Sequence, residues 1–234
     1  MTYLQNPPAQ QDLMDEFDWA RTRQSERAKR RQQRRAYYWI SDGLKYLKGW
    51  VRGRTRKEIR IIDRCAPPGG NLLDVGCADG GTLRQLDVSR WRPFGIEPSP
   101  SLAQRADAYC RPHGGAVRQA VAVDGLAAWP AGQFQCVMMR SFLEHEVHVA
   151  DVLRLARQAL APGGVVIIKV PNFACWNSRL RGAGWPGVRL PDHVNYFRPG
   201  DLRRALQTAG FTTVRFPWWR RSPTSDNMWA VAGG

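Results

Sequence analysis

The 234-residue sequence predicts an α/β protein: a mostly parallel sheet with helices on both faces and an antiparallel strand near one edge. Three observations carry this. Short β-rich apolar runs alternate with amphipathic segments from Asn71 onward. The first run ends in a glycine loop, and the last two runs follow one another with no helical pattern between them. The composition is that of a globular chain, with 43% hydrophobic and 24% charged residues.

Leu72, Leu73 and Val75 form the first strand, which runs into Gly76-Cys-Ala-Asp-Gly-Gly81, and a helix is expected from Thr82. Phe94 to Ile96 is the second strand and ends at Glu97. Ser99 or Ser101 then caps another helix. Ala116 and Val117 read as the third strand and Phe134 to Met139 as the fourth. Val152, Leu155, Ala156, Ala159 and Leu160 recur at helical spacing, and Pro162-Gly-Gly164 ends that helix. Val165 to Val170 is a continuous β-branched run, as expected for a strand buried on both faces. Leu202, Ala205, Leu206 and Ala209 make a further amphipathic helix with Gly210 just beyond its end. Phe211 to Phe216 and Met228 to Ala232 close the chain as a hairpin around Trp218 and Trp219.

Charge is concentrated at the other end. Of a formal +15, a net +12 lies in residues 21–60, which hold 15 Lys and Arg against three acids. Arg27 to Arg35 lacks Gly and Pro and is followed by Tyr37, Tyr38 and Trp39. This reads as a basic, aromatic helical extension over residues 1–61, preceding a domain at 62–234. It is either a lid or a solvated helix face, and its charge would also suit nucleic acid. Five unpaired cysteines argue against a disulfide framework and a zinc site, and no apolar run approaches the roughly 20 residues of a membrane span. With no secretory signal pattern, the chain reads as soluble and cytoplasmic.

Ligands in such sheets bind beyond the carboxyl ends of the strands, where the first glycine loop meets its helix. Glu97, 21 residues after Gly76, is placed to accept hydrogen bonds from a ribose diol. A dinucleotide and S-adenosylmethionine both fit that arrangement. Asp74 and Asp79 decide between them: a pyrophosphate would face two carboxylates, whereas an ammonium and a sulfonium gain from them.

Leu72-Leu-Asp-Val-Gly-Cys-Ala-Asp-Gly80 resembles motif I of class I S-adenosylmethionine-dependent methyltransferases, and Gly95-Ile-Glu-Pro-Ser99 resembles their second acidic motif. Leu143-Glu-His145, Leu160 to Gly164, Val170 to Phe173, Pro191 to Phe197 and Leu202 to Phe211 follow in the order of the type 23 subgroup, which is similar to the ubiquinone-type O-methyltransferases. The resemblance implies a Rossmann-like, seven-stranded sheet with a C-terminal antiparallel hairpin, and S-adenosyl-L-methionine as cofactor. It places Asp74, Gly76, Cys77, Ala78 and Gly80 around the methionine half, Glu97 and Pro98 at the ribose, and Asp124 at the adenine. Two departures stand out: Ala78 replaces a motif glycine, and Phe134-Gln135 replaces the usual Phe-Asp pair.

The implied reaction is methyl transfer to a small-molecule acceptor, with oxygen as the acceptor atom. His145 is the leading general base, His193 the second and His148 the third. No metal is expected: relatives of this type can carry a further acid where Ser141 stands, and Glu144, His145, Glu146 and His148 would point apart on a helix. The segment from Phe173 to Phe197 should line the acceptor site with Trp176, Trp185 and Tyr196, with Tyr37 and Tyr38 completing a lid. Its arginines 179, 181 and 189 would suit an aromatic or lipid-like acceptor bearing an acidic group. The alternatives are an RNA methyltransferase using the basic segment and a non-catalytic cofactor-binding module.

Overall fold

The computed structural model describes residues 2–3, 57–217 and 223–234. Tyr37, Tyr38, the basic segment expected to be helical before residue 57, and the Trp218–Trp219 turn therefore lie outside the described residues. Strand β1 (Thr2–Tyr3) is followed by helix α1 (Lys57–Cys65), β2 (Gly70–Val75), β3 (Trp91–Ile96), α2 (Pro100–Cys110) and β4 (Ala116–Arg118). Then come α3 (Ala122–Ala127), β5 (Phe134–Arg140), α4 (Val149–Ala159), β6 (Leu160–Pro171), α5 (Trp176–Arg181) and β7 (Asn195–Tyr196). Helix α6 (Pro199–Thr208), β8 (Thr213–Arg215) and β9 (Asn227–Gly233) end the chain.

Seven strands form one sheet in the order β4-β3-β2-β5-β6-β9-β8. The pairs from β4 to β6 are parallel, while β9 runs antiparallel to both β6 and β8. The terminal hairpin is present as expected from the two consecutive terminal runs, and its second strand, β9, is inserted between β6 and the edge strand β8.

Consecutive residues of a strand point to opposite faces, and here both faces are buried. Leu73, Met139 and Ile168 enter a core with α3, α4 and α6 residues such as Leu126, Leu153 and Leu206. Leu72, Met138 and Ile167 enter a second core with Ile59, Ile61 and Ile62 of α1 and Ala106 and Cys110 of α2. Helix α1 is therefore part of the domain, and the boundary expected between residues 61 and 62 falls inside it.

Two elements differ from expectation. The helix expected from Thr82 is a single 3₁₀ turn, Leu83–Gln85. Only nine residues separate Gly81 from β3, and the Asp87 carboxylate accepts hydrogen bonds from the Ser89 amide and hydroxyl, turning the chain before a helix can propagate. Strand β6 starts at Leu160 rather than Val165, because Leu160 already pairs with Phe134 and a register shift absorbs Pro162-Gly163-Gly164.

Candidate active site

The carboxyl ends of β2, β3 and β5 converge on the glycine loop. Gly76 (φ 73°) and Gly80 (φ 80°) take left-handed backbone conformations, and Ala78 (φ 51°) does so despite its Cβ. A Cβ on Gly76 would come within 2.9 Å of the Phe142 ring, so this glycine lets the loop after β5 lie against the loop after β2. The amides of Gly76 and Cys77 both donate to the Ile96 carbonyl, at 2.9 and 3.1 Å.

Glu97, at the end of β3, joins the two loops. Its Oε2 accepts the Ala78 amide at 2.9 Å and its Oε1 accepts the Ser99 amide at 3.1 Å. Arg84 stacks over Tyr109 at 4.9 Å and donates to the carbonyls of Asp79 and Arg105, holding the far side of the loop against α2. Asp74 is buried, and burial raises its carboxyl to about 7; Arg140 pulls this back in part and Glu97 adds to the rise. Burial likewise pushes the Cys77 thiol up, so it stays protonated. Pro98 follows directly on Glu97 and is half-buried, whereas Asp124 sits in the first turn of α3 with its side chain exposed.

The sequence suits this cradle to S-adenosylmethionine. It offers an anchored carboxylate at the end of β3, a buried acid beneath the loop, and positive-φ residues that let backbone approach a ligand. Opposing acids would instead repel a pyrophosphate.

Beyond β5 the chain forms turns rather than the helix expected to splay Glu144, Glu146 and His148 apart; helix α4 starts only at Val149. Ser141 is at φ 54°, and Asn195 Nδ2 donates to the carbonyls of Leu143 and Glu146, at 3.1 and 2.6 Å. The amides of Val194 and Asn195 donate to the Glu144 carbonyl. Carbonyls that a helix would use are thereby taken by the β7 segment.

His145 Nδ1 lies 2.9 Å from Asp192 Oδ1 and 2.8 Å from the Asp192 carbonyl oxygen. Both partners are acceptors, so Nδ1 carries the proton and Nε2 is left with its lone pair. Arg189 Nη2 holds the other carboxylate oxygen of Asp192 at 3.1 Å. Burial opposes the charged form of His145, but the Asp192 hydrogen bond and the Glu144 and Asp192 charges outweigh it, so the imidazole is raised above its ordinary range. His193 donates from Nδ1 to the Gly187 carbonyl at 2.8 Å, and its ring centroid lies 4.7 Å from that of His145. Burial, with the neighbouring His145 charge, lowers His193 to about 4, so it is neutral near pH 7. His148 is exposed.

Glu144, His145 and His193 bring one potential ligand atom each within 4.8 Å of one another, and Glu144 Oε2 is buried without a hydrogen-bond partner. Lone pairs that face one another call for a proton donor or a cation between them. One carboxylate and two imidazoles are also a donor set of the type that holds a divalent metal. The reading from sequence, which expected no metal, considered the neighbours of Glu144 along the chain and not His193, which the fold brings in.

The predicted acceptor-side aromatics divide. Trp176 is 55% exposed, whereas Trp185 is 1% exposed and spends its indole N–H on Asp226, 3.0 Å away. Asp226 also accepts from Asn177 Nδ2 and Cys175 Sγ, tying the loop around α5 to the start of β9. Trp185 thus braces the segment from inside. Tyr196 is buried beside Phe173, with its hydroxyl toward the Arg189 backbone. Asp192, Asn195 and Asp226 were not singled out in the sequence. Asp192 and Asn195 lie inside the Pro191–Phe197 motif, which was their only signal, and Asp226 had none.

The fold and the glycine-loop cradle define a class I, S-adenosyl-L-methionine-dependent methyltransferase. The family model described as a methyltransferase domain matches residues 50–215, and the chain belongs to that family. The chain is 30% identical over 181 residues to the ubiquinone biosynthesis O-methyltransferase of Xanthomonas axonopodis pv. citri, covering 71% of this chain and 75% of that protein. It is 29% identical over 165 residues to the enzyme of the same name from Aromatoleum aromaticum, covering 65% and 69%. Among solved structures, an S-adenosylmethionine-dependent methyltransferase from Archaeoglobus fulgidus shares the fold at TM-score 0.62 and 16% identity, covering 76% of this chain and 91% of that one. No helix of the described residues is long and apolar enough to cross a membrane.

Proposed function

We propose that this methyltransferase acts on a hydroxyl oxygen of a small aromatic acceptor, with His145 as general base. The observation that carries the reading is the His145–Asp192 pair, which leaves the Nε2 lone pair available beside the buried Glu144. The relatives named as ubiquinone biosynthesis O-methyltransferases support oxygen as the acceptor atom. S-adenosyl-L-methionine supplies a methyl group already activated by its sulfonium, so the protein's task is to position the acceptor, exclude water and remove a proton. Asp74, Gly76, Cys77, Ala78 and Gly80 would hold its methionine half, Glu97 and Pro98 the ribose, and the α3 region with Asp124 the adenine. The acceptor hydroxyl gives its proton to His145 Nε2 as the oxygen takes the methyl group. Asp192 and Glu144 stabilise the resulting imidazolium, while neutral His193 adds no competing charge. Trp176 contributes acceptor-side surface, Tyr196 packs against Phe173 within the same segment, and Trp185 braces the loop from inside.

The test is methyl transfer from labelled S-adenosylmethionine into a panel of phenols. His145→Ala should lower kcat by about 10²–10⁴-fold, the usual weight of a positioned base, with S-adenosylhomocysteine affinity unchanged. Asp192→Asn should lower kcat less and move the ascending limb of the pH profile to lower pH, because the Asp192 contact raises the His145 pKa. Full turnover in His145→Ala refutes the assignment.

A further inference from the structure

The C-terminal quarter of the chain has few acidic side chains, and each is already matched. Between Phe173 and Gly234 the sequence holds three carboxylates: Asp192, Asp201 and Asp226. Asp192 is paired with Arg189 and His145, and Asp201 with Arg204. Asp226 accepts three hydrogen bonds and is held in its charged form partly by the neighbouring Arg181. Among the described residues, Arg179 of α5 and Arg198 before α6 pair with no carboxylate.

These two arginines line the same cavity, a space of about 230 Å³ completed by Phe173, Ala174 and Ser178. The Arg198 guanidinium lies 5.6 Å from the centroid of the Phe173 ring. Ser178 turns its hydroxyl inward, to the carbonyls of Phe173 and Cys175, so the two guanidinium groups supply the charge of the cavity. Two arginines that line one small space without a carboxylate partner offer their forks of N–H donors to an anion bound there.

The cavity also connects to the proposed base. From Phe173 a row of rings runs through Tyr196 (5.4 Å between centroids) and His193 (6.5 Å) to His145 (4.7 Å). The rings of Tyr196 and His193 are buried, so the row is a packed wall that joins the cavity to the surroundings of the base.

We infer that the Arg179–Arg198 cavity is the subsite for an anionic group, a carboxylate or a phosphate, carried by the methyl acceptor at the end remote from its reacting hydroxyl. This deepens the O-methyltransferase reading and rests on it for the identity of the ligand as acceptor. It also singles out Arg198, which lies outside the predicted lining, and sets aside Arg181 and Arg189, neither of which lines the cavity.

The experiment titrates the full chain, saturated with S-adenosylhomocysteine, with 4-hydroxycinnamate and with its uncharged methyl ester. The acid should bind about ten-fold more tightly than the ester, the scale of one charge-assisted contact. Arg179→Gln and Arg198→Gln should each remove most of that advantage and together abolish it, while Arg181→Gln preserves it. Both target side chains are exposed, so the variants keep the fold, and unchanged S-adenosylhomocysteine affinity confirms it. Competition by inorganic phosphate assigns the subsite to phosphoryl groups, and its failure to compete assigns it to carboxylates. Equal binding of acid and ester, no saturable binding of the acid, or discrimination that survives in the double variant overturns the inference and leaves the methyltransferase reading intact. Loss of S-adenosylhomocysteine binding in the unmodified chain strikes that underlying reading instead.

Discussion

Asp74 should make cofactor binding depend on pH in a range where few carboxylates titrate. Its carboxyl is raised from an ordinary 3.8 to about 7, burial being the main cause. In the free protein at pH 6, a group titrating at 7 is ionised in about one molecule in eleven, and at pH 8 in about ten of eleven. If the ammonium of the bound ligand requires the ionised form, S-adenosylhomocysteine should bind about ten-fold more weakly at pH 6 than at pH 8, a difference of about 1.4 kcal/mol. Binding at pH 6 should release close to one proton, and at pH 8 about a tenth of one. The same shift acts on folding with the opposite sense. The folded protein holds a proton that the unfolded chain loses near pH 4, so stability falls as pH rises from about 4 to about 7. At most about 4 kcal/mol is lost, from roughly three units at 1.36 kcal/mol each. Asp74→Asn removes the titration: the variant should be more stable than the unmodified chain at pH 8, about equal to it at pH 4, and weaker in ligand affinity with no dependence on pH. Calorimetry in two buffers of different ionisation enthalpy, with denaturant melts at pH 4 and pH 8, reads both effects. Affinity that is flat from pH 6 to 8 without proton release, or a slope retained in Asp74→Asn, refutes the reasoning.

Three further substitutions probe the glycine loop and the strand packed against it. Gly95→Ala would place a Cβ 2.6 Å from Cys77 Sγ and 3.2 Å from a Val117 methyl, so thermal melting should show a loss of about 1–3 kcal/mol, as expected for overpacking. Cys77→Ala in the same chain should restore part of that loss. Ala78→Gly should gain up to about 1 kcal/mol in denaturant unfolding, because it relieves a left-handed conformation at φ 51° that costs alanine about that much.

Much of the cofactor half was legible from the sequence because it is local. Asp74, the glycine loop and Glu97 lie within 24 residues, on two adjacent parallel strands, and the joining contact, Glu97 to the Ala78 amide, spans 19 residues. The alternation of apolar runs gave the parallel strands but not their order, which only the fold shows. The missing helix after Gly81 was less legible: the residues of its apolar pattern are present, but the short spacing to β3 and the Asp87 turn override it.

What the sequence by itself determined is therefore the layered sheet, the class of reaction and the cradle for the methyl donor. All of these arise from short-range periodicity and from motifs whose residues are neighbours in the chain. What only the tertiary structure decided is the arrangement beyond the ends of β5 and β6, where the acceptor site is proposed. His145 meets Asp192 across 47 residues, Trp185 meets Asp226 across 41, and Arg179 and Arg198 share a cavity although helix, loop and strand separate them. Such contacts depend on where strand ends converge and which way each side chain turns. No spacing rule encodes that, because the intervening chain closes its loops only when the sheet is already in place.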